Sequence, residues 1–144
     1  MIDQMDERLL AWARKVVPDV AAQIAPPPDD EANAGVRIHL LTIQPVNAPR
    51  GARRPPLELT LSYLVTTFAA DARDAHRWLG TLAFEAMSTP EWQVADEPLP
   101  VDVWRAFGVP PRPSFVVRMP VRFAREEHLA PPVRSTVLQL QQED

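Results

Sequence analysis

The side chains able to do chemistry are few and poorly spaced for it. His39, His76 and His128 fall on different expected elements, without the short intervals at which metal-ligating side chains meet on one strand or helix. Cysteine is absent, which excludes disulfides, zinc ribbons and thiol nucleophiles. Gly35, Gly51, Gly80 and Gly108 stand alone, so no glycine-rich loop can cradle a phosphate. Ser62, Ser88, Ser114 and Ser135 lack the Gly-x-Ser-x-Gly turn that exposes a nucleophile. Asp29-Asp30 and Glu126-Glu127 lie in expected loops, where neighbouring acids are solvated charge rather than an acid and base facing each other across a cleft. These residues predict no catalysis, no metal, no cofactor and no small-molecule substrate.

What remains is binding chemistry, and arginine carries it. Lys15 is the only lysine among 15 basic residues, and the guanidinium group favours bidentate, partly buried ion pairs. Arg50, Arg53 and Arg54 cluster in a proline-bearing loop over 46–56, a long connection of the kind compact domains keep for a use. Arg118 and Arg122 flank Pro120 on an expected strand, and the missing proline amide puts that strand at an edge or a bulge. Trp104 with Phe107 reads either as an interface anchor or as a core pair at helical spacing. A net charge of −4 and a pI near 5.4 argue against nucleic acid as a partner. Two readings follow: a structural assembly protein, or a small adaptor that binds an anion or nucleic acid through the Arg50–Arg54 loop.

The elements that must position these residues follow from periodicity. A chain of 144 residues can form one domain over 1–144, with a linker at 26–35 and a polar tail at 141–144. Leu9, Leu10, Trp12, Ala13, Val16 and Val17 make a helical stripe over 3–17, with Asp3, Asp6 and Glu7 in the first turn, where the helix dipole favours acids. Pro18 ends or kinks this helix, and Val20, Ala21, Ala22 and Ile24 extend it for a turn or two before Pro26-Pro27-Pro28. Val36 to Ile43 reads as a strand, with Val36, Ile38 and Leu40 on one face and Arg37, His39, Leu41 and Ile43 on the other. Leu57 to Ala69 alternates most clearly, and one of its faces is apolar enough to be core. Asp71 caps a second helix that ends before Pro90; Pro98 to Phe107 forms a third, closed by Gly108. Ser114 to Phe123 and Val133 to Leu140 complete the strands. The order predicts an α+β fold, an antiparallel or mixed sheet of about four strands with two to three helices packed on it.

The 17 prolines, more than twice the usual share of about 5%, fall mostly between these elements and stiffen the connections. The acidic first residues lack the basic region of a secretory signal, and no apolar run reaches the roughly 18 residues that span a bilayer. The sequence therefore predicts cytoplasmic synthesis and no membrane partner.

The run Arg53-Arg54-Pro55-Pro56-Leu57-Glu58-Leu59-Thr60-Leu61-Ser62-Tyr63-Leu64-Val65-Thr66 is the first part of a wider pattern. It is followed by His76-Arg77-Trp78-Leu79-Gly80, Val103-Trp104-Arg105-Ala106-Phe107-Gly108 and Arg112-Pro113-Ser114-Phe115. In this order, over about residues 1–125, the chain resembles the tail-terminator or cap proteins of phage-tail-like extracellular contractile injection systems. The resemblance implies a non-enzymatic α+β protomer that forms a hexameric ring. Such a ring binds the last inner-tube and sheath proteins, fixes tube length and caps a particle that can leave the bacterial cell. Arg50, Arg53, Arg54, Trp104, Arg118 and Arg122 are the candidate interface residues.

Overall fold

The computed structural model describes residues 1–29, 34–47, 51 and 56–124. The expected strand Val133–Leu140, the tail at 141–144 and most of the 46–56 loop lie outside the described residues.

Helix α1 (Ile2–Val16) turns Leu9 and Ala13 inward, with Ile2, Met5, Trp12 and Val16 packed partly beside them. It stops at Val16, two residues before Pro18 and one earlier than the sequence predicts. The pyrrolidine ring bars the preceding residue from the helical region, and Val17 takes φ −129° and ψ 75°. The expected helical continuation is instead a short strand, β1 (Ala22–Ile24). It runs parallel to β2 (Gly35–Pro45), with Ala22 opposite Val36 and Ile24 opposite Ile38. Glycine opens β2 because a Cβ at Gly35 would lie 3.0 Å from the Ala21 carbonyl oxygen, the acceptor for the Val36 amide. Pro27, in the expected exposed linker, is buried.

The rest follows β3 (Leu57–Phe68), α2 (Ala72–Ser88), β4 (Gln93–Val94), α3 (Val101–Phe107) and β5 (Ser114–Phe123). The sheet has five strands in the order β1-β2-β3-β5-β4, antiparallel throughout except for β1 with β2. This is the expected α+β class, with two very short strands added at the edges. Asp71 caps α2 by accepting the Arg73 amide at 2.9 Å. Gly108 closes α3 in the left-handed conformation, φ 73°, where a Cβ would be strained.

β3 is central and has two apolar faces. Leu61, Tyr63 and Val65 meet α1 and α2 in the main core, beside Val117 and Met119 of β5 and Leu79 and Leu82 of α2. Leu64 faces the other way into a smaller core with Trp104 and Val109, closed by Leu41, Phe107 and Val116. Each fully buried leucine contributes about 1.5–3 kcal/mol.

The register of β2 against β3 slips between Leu40 and Thr42. Leu40 lies opposite Tyr63, whereas Ile43 lies opposite Leu61, so Leu41 is the extra residue of a β-bulge. The bulge corrects the face expected for Ile43. Simple alternation sets it with His39 and Leu41; the extra residue returns it to the face of Leu40, Leu61 and Tyr63.

Candidate assembly surfaces

The strands outrun the helices meant to cover them. β3 has 12 residues and spans about 40 Å, while the 15 residues of α1 span about 22 Å. One end of the sheet therefore continues past the helical layer with its apolar row uncovered. Leu57 lies opposite Phe123 and Leu59 opposite Val121, with Ile43 and Pro45 alongside. Leu57 and Phe123 are each 50% exposed, and Ile43 and Val46 nearly as much. Leu57, Phe123 and Val46, with Met1, Pro45, Asn47 and Pro56, line an open hollow of about 420 Å³. Sequence alternation assigned the β3 members of this row, Leu57 and Leu59, to the core. The signal for their exposure was present in the relative lengths of strand and helix.

Strand edges are also open at this end. β1 pairs only with Val36 to Ile38 of β2, and β4 only with Val117 and Arg118 of β5. From His39 to Pro45 and from Met119 to Phe123 no further strand adjoins among the described residues. Pro120 sits in the second of these stretches, opposite Thr60, and its missing amide blunts that edge.

Arg118 and Arg122 lie on the exposed side of β5. Arg122 is opposite Glu58, donating to it from Nε at 3.4 Å and to Glu91 from Nη1 at 2.9 Å. These bonds to Glu91 and then Glu58 hold its guanidinium more firmly protonated than usual. Glu91 has φ 69°, left-handed for a non-glycine residue, in the turn that carries its carboxylate to Arg122. Arg118 faces Gln93 and lines two neighbouring hollows, one shared with Glu58, Glu91 and Arg122, the other with Met87 and Trp92.

Trp104 is 3% exposed beneath α3, its ring centroid 6.4 Å from that of Phe107. Of its two readings it occupies the core place. His39 meets Phe107 edge-on at 5.3 Å, and burial lowers its pKa from the usual 6.5. Arg50, Arg53 and Arg54 lie outside the described residues. The candidates are thus not brought together: Arg118 and Arg122 share a surface, and Trp104 is in the interior. Among the described residues no group of three histidines and acids could hold a metal ion, and no helix is long and apolar enough to cross a membrane.

Neither a protein-family model nor a curated protein matches the sequence. Solved structures do match the fold. The PVC sheath/tube terminator of an extracellular contractile injection system, in its extended state, superposes with a TM-score of 0.70 at 19% identity, covering 100% of this chain and 64% of its own. The tube-terminating cap of the anti-feeding prophage gives a TM-score of 0.63 at 16% identity, covering 97% of this chain and 61% of its own. The fold is that of tube-terminating proteins of contractile injection particles, and the chain spans a little under two thirds of each neighbour's length.

Proposed function

We propose that the chain is a non-enzymatic assembly protein that terminates the tube and sheath of a contractile injection particle, seated on the last ring as a hexamer. The observation that carries this reading is the likeness to two terminators over nearly the whole chain, 100% and 97% of it. The open end of the sheet supports it. An apolar row beside two strand edges, both uncovered among the described residues, is a surface that a neighbouring subunit or tube ring can bury, by strand addition and apolar contact together. Arg118 and Arg122 supply charged contacts at its border. On this reading the protein is made and assembled in the cytoplasm and leaves with the particle.

Co-sedimentation and native mass spectrometry with the tube and sheath proteins of the same particle test the proposal. The expected result is capture of the chain by assembled tubes and a sixfold ring at the tube end. Failure to associate with either protein, under conditions in which both polymerise, overturns it. The adaptor reading rests on Arg50, Arg53 and Arg54, and no observation on the described residues favours it.

A further inference from the structure

At the opposite end of the sheet from the apolar row, the end of β3, the start of α2 and the approach to β5 enclose a cavity of about 200 Å³. Its lining includes Phe68, Ala72, Ala75, His76 and Arg112. Two of the sequence stretches that carry the family resemblance, His76-Arg77-Trp78 and Arg112-Pro113-Ser114, meet here although the chain separates them widely. Arg112 stacks on Phe68, its Cζ 5.4 Å from the ring centroid, and Arg37 approaches the same ring at 5.9 Å. The Nε and Nη1 of Arg112 are buried and have no hydrogen-bond acceptor among the described residues.

A guanidinium offers donors and no acceptor, so these are buried charged donors left without a partner among the described residues. That arrangement costs more than an unpaired neutral group and calls for an acceptor from elsewhere. Among the described residues no acid lines the cavity. The two carboxylates in the first turns of α2 are already engaged, Asp71 by Arg73 and Asp74 by Arg77 at 2.7 Å. The space is below the roughly 300–1,000 Å³ of pockets that take nucleotide-sized ligands, and it suits a single small group.

We propose that this cavity binds one oxyanion, a carboxylate or phosphate group, with Arg112 as its principal donor. The site is independent of the capping role and lies away from the surface proposed for it. The oxyanion has two sources, a free ion or an acidic side chain from a second copy of the chain.

The test compares wild type with Arg112→Met, which keeps an apolar stem over Phe68 and removes the donors. Thermal melting is followed at constant ionic strength in sodium chloride, sodium phosphate and sodium acetate, with sedimentation velocity in parallel. The expected result is a saturable rise in the wild-type melting temperature with phosphate or acetate, about 4 °C at tenfold excess over Kd, that Arg112→Met loses. A free ion raises the melting temperature with no change in sedimentation. A carboxylate from a second copy shows as phosphate-dependent dissociation of self-associated wild type, with Arg112→Met already dissociated. If Arg112→Met does not fold, amide chemical shifts of Phe68, Ala72 and His76 in wild-type protein titrated with phosphate decide the matter. Equal responses in the two proteins, or no response by melting, sedimentation or those amides, overturn the proposal.

Discussion

Replacing Tyr63 by phenylalanine removes one oxygen atom from the contact that fastens α1 to the central strand. Tyr63 is fully buried, and its hydroxyl donates to Asp6 Oδ1 at 2.7 Å across the interface between β3 and α1. A hydrogen bond to a charged acceptor contributes about 1.5–3 kcal/mol, which for a chain of this size is about 5–10 °C in melting temperature. Tyr63→Phe is expected to lose that amount at pH 7 without changing the fold. Burial first, and then the bond to Asp6, raise the Tyr63 pKa well above its usual value of 10.0. A raised folded pKa gives stability that is complete below the unfolded value and declines above it. Past pH 10 the unfolded tyrosine ionises while the folded one does not, and each further pH unit removes about 1.4 kcal/mol from the wild type alone. The gap between wild type and Tyr63→Phe therefore narrows by about 1.4 kcal/mol between pH 9 and pH 11. Urea unfolding followed by tryptophan fluorescence at pH 7, 9 and 11 measures it. A gap that is absent at pH 7, or constant to pH 11, refutes the reasoning.

Three further outcomes follow from the same packing. Thr66 is fully buried with no partner for its Oγ1 among the described residues, so Thr66→Val should keep the shape, relieve an unmet hydroxyl and raise stability by about 1 kcal/mol in chemical denaturation. His39 has a lowered pKa, so its contribution is complete above pH 6.5 and is lost as pH falls through the folded value, because the unfolded chain takes up the proton first. His39→Phe should accordingly show a shallower loss of stability between pH 7 and pH 5 in urea titrations. Leu57→Ser with Phe123→Ser, at positions each 50% exposed, should leave the melting temperature of the free chain nearly unchanged and reduce co-sedimentation with tubes at least tenfold.

The long elements were legible because local chemistry and burial agree in them. The stripe of α1, the Asp71 cap, the Gly108 stop and the alternation of β3 each appear in the residues themselves. The misses have particular causes. β1 is only three residues long and is specified by pairing with β2, not by its own pattern, so Ala22–Ile24 looked like the remainder of a helix. The bulge at Leu41 is invisible to simple alternation because it consists of one residue that breaks the period. At the candidate site, the edge at Pro120 was readable from a missing amide. The exposure of Leu57 and Phe123 was legible only by comparing strand length with helix length, because apolarity alone does not say where a covering helix ends. Arg112 appeared only as part of a motif; its unpaired donors emerge when distant segments meet.

Amide exchange will be graded along the three long strands. Under α1 and α2 an amide opens only on the scale of global unfolding, while beyond Ile43, Leu59 and Val121 few buried contacts oppose fraying. Of these three strands, the softest backbone thus lies at the end proposed to dock. Ordering that end costs free energy at the moment of docking, so a single contact is weak and readily reversed. A full ring spreads that ordering cost over several mutually supporting contacts and becomes long-lived. The bare end of the sheet would in this way let isolated subunits sample a growing tube without stopping it, and reserve lasting attachment for a completed ring.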